Sequence, residues 1–204
     1  MKIRNKNITR KRLINSVGSL LAKKGFKGLG INAIAKEAGV DKVLIYRYFN
    51  GLSGLIAAYG KEGDFWPSSL ELAGGDLHRF GKYSLSEKLS ALGHNFIKAL
   101  KKRPVTCEIM IWEMSEKNEL TDELAAIREN SFIEFFQMFL MTRENKETLQ
   151  DVVALIGAAI SYLVLRSKNV DVYGGIDLSS EKGWEHIEQT ISCMVQGLQG
   201  IFKI

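Results

Sequence analysis

The chain has 204 residues, of which 46% are apolar, and its 28 Lys and Arg against 23 Asp and Glu give a net charge of +5. Two cysteines and two prolines exclude a disulfide-rich or proline-rich chain, and the length suits one small domain and one larger helical domain. The first seven residues are polar and basic and do not form a secretion signal, which predicts a cytoplasmic protein.

The charge is divided unequally along the chain. Residues 1–50 hold 12 Lys and Arg against 2 Asp and Glu, whereas residues 51–204 hold 16 against 21. A basic segment joined to an acidic one indicates a polyanionic partner at one end only. A membrane surface suits this pattern less well, because the basic arm lacks the interleaved large apolar residues of an interfacial helix.

Three helices are predicted in the basic segment. Apolar residues recur at helical spacing from Leu13 to Leu21, and Thr9 is the predicted N-cap of this first helix. Two short helices follow within residues 30–49. Gly39 is predicted to end the second helix in the left-handed region, and Asp41 to cap the third.

The third helix has two different faces. Ile45 and Phe49 point the same way and are predicted to pack against the second helix. The opposite face suits a DNA major groove, since Arg reads guanine or a phosphate, Lys and Tyr hold phosphates, and apolar side chains contact thymine methyls. A surface helix with solvated charges is the alternative interpretation. The predicted DNA-binding residues are Lys6, Arg10, Asn32, Lys42, Val43, Leu44, Tyr46, Arg47 and Tyr48.

An ordered set of motif residues extends through residues 9–60. They are Ala22-Lys23-Lys24-Gly25-Phe26, Ile31, Ile34-Ala35, Ala38-Gly39-Val40, Lys42 and Ile45-Tyr46-Arg47-Tyr48-Phe49. With these residues the segment resembles the DNA-binding domain of the tetracycline-repressor (TetR) family. Val43-Leu44 stands where the family usually has Gly-Thr, and Leu52 where it commonly has Lys. The resemblance therefore implies DNA binding with an operator that differs from those of members with the usual residues.

The remainder of the chain is predicted to be helical without strands. Pro104 can open one helix and Thr121 can cap another, whereas Pro67 and Gly74-Gly75 predict a loose connection or a short broken helix in residues 62–84. We expect an all-α fold with a three-helix, helix-turn-helix DNA-binding domain over residues 1–50. Residues 51–204 are expected to form a helical ligand-binding and dimerisation domain.

The last two predicted helices carry an assembly signal. Apolar residues of the final helix alternate steps of three and four, a heptad-like seam that favours a partner helix. Two such helices from each of two chains would form a four-helix interface, and the alternative is that both pack within one monomer. The predicted interface residues are Val153, Ile156, Ile160, Trp184, Ile187, Ile191, Met194 and Leu198.

Beyond DNA binding, the resemblance implies a homodimeric repressor on a near-palindromic operator. In the family, a small molecule enters a pocket of the C-terminal domain and releases the DNA. The candidate pocket residues are Trp66, His94, Phe96, Trp112, Phe132 and Phe136, although an aromatic residue on a buried helix can equally belong to the core. An activator, a regulator without a ligand, and a helical interaction protein or enzyme with a vestigial basic domain are the alternatives.

No residue pattern in the chain specifies catalysis or a cofactor. The three histidines are scattered, and Cys107 and Cys193 lie far apart without metal-ligand spacing. We therefore expect no enzyme, no cofactor and no metal, and two buried thiols, with a redox sensor as the alternative. Residues 152–165 carry no charge but are fewer than the roughly 20 needed to span a bilayer, which predicts a buried helix.

Overall fold

A computed structural model describes residues 2–115, 117–140 and 146–197. These ranges contain eleven α-helices and one two-stranded hairpin, which confirms the predicted all-α fold. The helices are α1 (Lys2–Lys24), α2 (Ile31–Ala38), α3 (Val43–Phe49), α4 (Leu52–Glu62), α5 (Ser69–Leu72), α6 (Leu77–Gly81), α7 (Leu85–Lys101), α8 (Pro104–Ser115), α9 (Glu119–Phe139), α10 (Lys146–Arg166) and α11 (Glu181–Gly197), and the strands are β1 (Val172–Tyr173) and β2 (Ile176–Asp177).

The chain folds into two compact units, neither of which is continuous in sequence. Unit 1 consists of Met1–Trp66 and Arg103–Asn130, and unit 2 of Pro67–Lys102 and Ser131–Ile204. Helix α8 and the first part of α9 therefore belong to the same unit as the three N-terminal helices. The functional division at residue 50 stays a prediction.

Unit 1 is built around the buried stripe of α1, which packs against α2, α4 and α8. The side chains of Leu13, Val17 and Leu21 are completely buried there. The prediction that α1 starts at Thr9 is wrong, since the helix begins at Lys2. The residues before Thr9 include no Gly or Pro, so nothing stops the helix from continuing toward the N-terminus.

The end of α1 makes a close contact with α8. Gly25 is buried with φ of 62°, and a Cβ atom added there would lie 2.6 Å from the Trp112 ring. Only glycine combines this backbone conformation with so little space. Helix α8 starts at Pro104, as predicted. Trp112 of this helix thus contacts the end of α1 although it lies almost 90 residues further along the chain.

The cap of α9 differs from the prediction. The Asn118 side-chain oxygen accepts hydrogen bonds from the backbone N–H groups of Leu120 and Thr121, at 3.0 and 3.1 Å. The Thr121 hydroxyl in turn accepts from the Asn118 N–H at 2.9 Å. Asn118 is thus the capping residue, and Thr121 satisfies its amide in a reciprocal arrangement.

Unit 2 is centred on α7, against which α5, α10 and α11 pack. Ser84 and Glu87 form a capping box at the start of α7. Gly93 lies in the middle of this helix, where a Cβ atom would be 3.3 Å from Ile191 of α11 and 3.8 Å from Ile160 of α10. The small residue therefore lets both helices approach α7 closely.

A short hairpin joins α10 to α11, although the sequence was predicted to contain no strands. Val172 pairs with Asp177 and Tyr173 with Ile176. Gly174 and Gly175 both have positive φ, at 58° and 84°, as the tight hairpin turn between such strands requires. Strands of two residues are too short to show an alternating pattern, and the Gly-Gly pair was the available signal.

Helix α10 is only partly buried, which corrects the prediction for residues 152–165. Val153, Ile160 and Val164 are buried, whereas Leu155 and Tyr162 are exposed, because within one chain α10 is covered on one face only. Its segment Leu149–Arg166 is apolar and long enough to cross a membrane by length and composition, a test that core helices of soluble proteins also pass.

The two thiols also differ in exposure. Cys107 is buried on α8, as predicted, but Cys193 is exposed on α11. Ile191 and Val195 flank Cys193 at a spacing of two residues and are buried. Because two residues correspond to about 200° around a helix, burial of these neighbours turns Cys193 toward solvent.

Candidate nucleic-acid interface

The turn between α2 and α3 sets the orientation of α3 relative to α2. Gly39 ends α2 in the left-handed region with φ of 62° and ψ of 43°, as predicted. The N–H of Val40 then donates to the Ala35 carbonyl at 3.0 Å. The Asp41 carboxylate accepts from the N–H of Val43 at 2.8 Å, which satisfies the first amide of α3.

Side chains of α1 hold this turn in place. The Arg12 guanidinium donates to the Ala38 carbonyl at 2.5 Å, and so links α1 to the last residue of α2. Ser19 and Lys23 both donate to the Glu37 carboxylate, at 2.7 and 2.8 Å. The Lys23 and Ser19 hydrogen bonds lower the pKa of Glu37. This role of Arg12 could not be predicted from residue spacing, because its partner is a backbone carbonyl 26 residues away.

The two faces predicted for α3 are confirmed by burial. Ile45 is completely buried and Phe49 is nearly so, within the core of unit 1. On the other face, Val43 and Tyr46 are 54% and 55% exposed. Lys42 and Arg47 are exposed beside them, and Leu44 and Tyr48 are half-buried at the edges of this face.

The two predicted basic contacts on α1 lie in different surroundings. Lys6 is exposed, and its ammonium lies 5.7 Å from the centre of the Tyr48 ring. Arg10 forms a bidentate ion pair with Glu62 of α4, in which Nη2 lies 2.5 Å from Oε1. Its guanidinium also lies 5.1 Å from the centre of the Phe49 ring. Arg10 is thus engaged within the chain, whereas Lys6 is exposed next to α3.

Asn32 is exposed in the first turn of α2. The exposed predicted residues therefore offer three kinds of contact to DNA. Ammonium and guanidinium groups can form ionic contacts, a phenol hydroxyl and an amide can form hydrogen bonds, and Val43 can form an apolar contact. Whether these side chains contact DNA stays a prediction.

Two of the six predicted ligand-binding residues belong to unit 1. Trp112 packs over Gly25, as described above. Trp66 lies beside Phe65, with ring centres 6.5 Å apart, and the Arg128 guanidinium is 5.8 Å from the centre of its ring. Arg128 in turn pairs with the partly buried carboxylate of Glu113.

The other four predicted ligand-binding residues belong to unit 2. Phe132 and Phe136 stack with ring centres 6.2 Å apart, and Phe136 is buried. Phe96 is half-buried on α7. His94 is exposed, and its Nδ1 lies 2.7 Å from the Glu188 carboxylate of α11.

Next to His94, an open groove of about 440 Å³ runs between α7 and α11. It is more polar than the predicted apolar pocket, and His94 is the one predicted ligand-binding residue that lines it. Within the described parts of the chain, no cluster of three or more His, Cys, Asp or Glu side chains is suited to a metal ion. The lining residues are Ser90, His94, Glu185, Glu188, Gln189, Ser192, Cys193 and Gln196.

The residues predicted to form a dimer interface lie mainly in the core of unit 2. Their burial matches the alternative of packing within one monomer, since α10 and α11 both pack on α7. Lys101 at the end of α7 lies over the Trp184 ring, 3.8 Å from its centre. Val153, Ile160, Trp184, Ile187 and Ile191 are buried, Ile156 is half-buried, Met194 is exposed, and Leu198 lies outside the described residues.

The fold and the exposed face of α3 define a helix-turn-helix protein with a helical body. In agreement, residues 19–59 match the family model described as "Bacterial regulatory proteins, tetR family". None of the curated protein sequences compared with the chain matches it. The matched residues contain α2 and α3 and fall within the segment whose motifs resemble the DNA-binding domain of this family.

Several solved structures share the fold over nearly their whole length. The transcriptional regulator FadR from Bacillus subtilis, solved in complex with stearoyl-CoA, has a TM-score of 0.61 and 16% identity, covering 91% of this chain and 96% of that one. A TetR family regulator from Marinobacter aquaeolei VT8 has a TM-score of 0.57 and 19% identity, covering 96% of each chain. A TetR-like regulator from Rhodococcus sp. RHA1 has a TM-score of 0.59 and 13% identity, covering 96% and 97%.

Proposed function

We propose that this TetR-family regulator is a homodimeric repressor that binds a near-palindromic DNA operator through α3 and is released by a small apolar or aromatic ligand. The observation that carries the proposal is the exposed basic and aromatic face of α3, held on a turn that is fixed by Gly39, Asp41 and Arg12. Residues 1–50 act as the DNA-binding domain in this proposal, and residues 51–204 as the regulatory domain.

Each side chain of this face has a proposed role in the major groove. Arg47 reads a guanine or grips a phosphate, and Lys42 and the Tyr46 hydroxyl hold phosphates. Val43 contacts a thymine methyl, and Leu44 replaces the Thr hydroxyl that the family commonly has at its position. Asn32, Leu44, Tyr48 and Lys6 border the face, and Arg10 takes part only where DNA displaces its Glu62 partner.

The DNA-binding face is tested with the double variant Arg47→Ala, Tyr46→Phe. DNA sequences are first selected with the wild-type protein from the organism's own genome, and affinities for the selected site are then compared. We expect a loss of at least about tenfold, because a bidentate Arg contact is worth roughly 1–3 kcal/mol. Lys61→Ala, an exposed residue of α4, is the matched control. Unchanged affinity of the double variant for the selected site would sink this assignment.

The homodimer is proposed because a two-fold pair of α3 helices can occupy successive major grooves of a palindromic site. The apolar seam of α11 is buried against α7 within one chain, so it offers little surface to a second chain. The exposed faces of α10 and α11, with Leu155 and Tyr162 on α10 and Met194 on α11, are therefore the better candidates for the contact.

The proposed ligand response is supported by the relative from B. subtilis, which was solved with stearoyl-CoA. We propose that the aromatic residues of unit 2, Phe96, Phe132 and Phe136, help to bind the apolar part of a ligand. Calorimetry with acyl-CoA thioesters and aromatic compounds, followed by DNA-release assays, tests this proposal. Compounds that bind but leave every DNA complex intact would count against a ligand-operated switch.

The proposed protein acts in the cytoplasm by binding and not by catalysis. Repression is distinguished from activation by a reporter placed behind the selected operator. Deleting the gene should raise reporter expression if the protein represses, and lower it if the protein activates. A reporter that does not respond to the deletion would contradict regulation at that site.

A further inference from the structure

The short helix α6 buries a single side chain in unit 2. Of its five residues, Phe80 is completely buried and the other four are exposed. Its capping hydrogen bond is local, since the Asp76 carboxylate accepts from the Arg79 N–H at 2.9 Å. A helix of five residues is too short to be stable by itself, so the burial of Phe80 decides whether α6 stays in place.

The segments on both sides of α6 are held more firmly. Before it, α5 packs on α7, and the Asn95 side-chain amide of α7 donates to the Leu72 carbonyl at 3.0 Å. After it, α7 begins with its capping box. Between α5 and α6, Gly74 and Gly75 have φ of 77° and 92°, a conformation that glycine adopts without strain. We call residues 75–83, which lie between these anchored segments, the α6 flap.

The Phe80 ring packs against two aromatic rings of α9. Its centre lies 5.6 Å from that of Phe135 and 5.4 Å from that of Phe139, in tilted and edge-to-face arrangements. The Phe135 and Phe139 ring centres are 5.1 Å apart. Aromatic pairs at these separations attract each other beyond the burial of their area. The space that the Phe80 ring fills, which we call the Phe80 site, therefore favours an aromatic ring.

Phe80 can leave this site at a lower cost than Phe135 or Phe136 can leave the core. Phe135 and Phe136 lie on α9, a helix of 21 residues, and they cannot turn away without unwinding it. Phe80 lies instead on a five-residue helix that follows two glycines of positive φ. Local opening begins where a segment has few buried contacts and exposed backbone hydrogen bonds, and α6 meets both conditions.

We propose that the Phe80 site binds the aromatic ring of a small ligand, and that the α6 flap fills this site with Phe80 when no ligand is bound. This inference rests on the proposed ligand response and adds a site and a gate to it. A ligand ring that replaces Phe80 regains the contacts with Phe135 and Phe139. The ligand therefore binds the state with the open flap, and its apparent affinity is reduced by the fraction of molecules in which the flap is open.

Limited trypsin digestion of the wild-type, full-length chain tests whether the flap opens. Arg79 and Lys82 are exposed on either side of Phe80, and their peptide bonds enter the protease only after α6 unfolds. Saturating 2-naphthol should raise the rate of cleavage at these two residues at least about threefold, because cleavage follows the population of the open state. Cleavage after Lys168, in the exposed turn beyond α10, is the control and should be unchanged. Binding of 2-naphthol with unchanged or slower cleavage at Arg79 and Lys82 would overturn the gate.

Calorimetry with 2-naphthol compares the wild-type chain with variants. Phe80→Ala removes the competing ring and should bind at least about tenfold more tightly. Adding Phe139→Ala to this variant should weaken binding again by about tenfold, because a wall of the site is lost while the flap no longer competes. Leu77→Ala, an exposed residue of α6, is the control and should keep the wild-type affinity. Circular dichroism checks that each variant is folded, and Phe80→Leu replaces Phe80→Ala if that one unfolds.

The outcomes separate this inference from the proposed function. If Phe80→Ala binds 2-naphthol and the wild type does not, Phe80 is a fixed core residue and the gate is overturned. If neither chain binds it, the site is overturned as well. Release of DNA by another compound without faster cleavage at Arg79 overturns the gate and leaves the proposed function standing. Faster cleavage with 2-naphthol that leaves every DNA complex intact supports the gated site and counts against a repressor released by its ligand.

Discussion

Helices α3 and α10 both leave large apolar side chains in solvent, but the neighbours of those side chains differ. Val43 and Tyr46 on α3 lie among Lys42 and Arg47, whereas Leu155 on α10 lies in a stretch without any charge. An apolar group among cations suits a partner that is both charged and apolar at its contact surface, such as the edge of a DNA groove. An uncharged apolar stripe suits a partner that is equally uncharged, and a second copy meets this condition.

The largest expected effect connects these two surfaces. In Leu155→Glu, loss of the dimer should weaken binding to a palindromic operator by at least about 100-fold, since the second half-site then no longer binds intramolecularly. Binding to an isolated half-site should stay near the wild-type level, because α3 is unchanged. Gel-shift titrations with both DNA fragments measure the two constants, and Leu70→Glu on α5 is the control. Equal loss on the half-site and the full site would show that α10 also supports the fold of α3.

The scaffold behind α3 gives the next effect. Gly25→Ala places a Cβ atom against Trp112 at a positive φ, so we expect a loss of about 1–3 kcal/mol in the free energy of unfolding. Urea unfolding followed by circular dichroism measures it. Gly81→Ala is the control, because a Cβ atom there meets no other atom within 4 Å, and its effect should stay within about 0.5 kcal/mol. Equal midpoints for the two variants would contradict the close packing of α8 on α1.

How much of the structure can be predicted from the sequence depends on what each helix face contacts. For α3, the buried pair Ile45 and Phe49 and the basic opposite face could be predicted, because the charge itself identifies the kind of partner. For α11, the spacing of Trp184, Ile187 and Ile191 showed that the face is covered, but periodicity is the same whether the cover comes from α7 or from a second chain.

Other features depend on contacts that no local pattern records. The Arg10–Glu62 ion pair joins residues 52 positions apart, and Arg12 reaches a backbone carbonyl, so neither could be inferred from spacing. The hairpin was missed because its strands have two residues each, and the exposed stripe of α10 was hidden in a segment that is apolar on all sides. Residues that are uniformly apolar indicate burial on average, without indicating which face a single chain leaves open.

A smaller effect is expected from the cations next to α3. Lys42→Ala should reduce the slope of log affinity against log salt concentration by about one, with a similar loss for specific and unrelated DNA, because a phosphate contact carries no sequence information. Lys24→Ala, at the exposed end of α1, should leave the slope unchanged. Fluorescence anisotropy at several salt concentrations measures the slope. A change in sequence preference with an unaltered slope would instead assign Lys42 to a base contact.

The smallest expected effect concerns the Arg10–Glu62 ion pair. The Arg10 hydrogen bonds lower the pKa of Glu62 below its ordinary value of 4.5, so the folded state favours the charged carboxylate. Its contribution to stability is present in full above that value and is lost as the pH falls through the lower pKa of the folded state. Both side chains are partly exposed, so we expect Glu62→Gln to cost only a few tenths of a kcal/mol at neutral pH. Unfolding free energies of wild type and variant should therefore converge in acid.

The same variant tests whether Glu62 competes with DNA for Arg10. If it does, Glu62→Gln should bind DNA more tightly than wild type at neutral pH. Unchanged affinity would assign Arg10 to the scaffold and leave Lys6 as the basic residue of α1 next to the DNA.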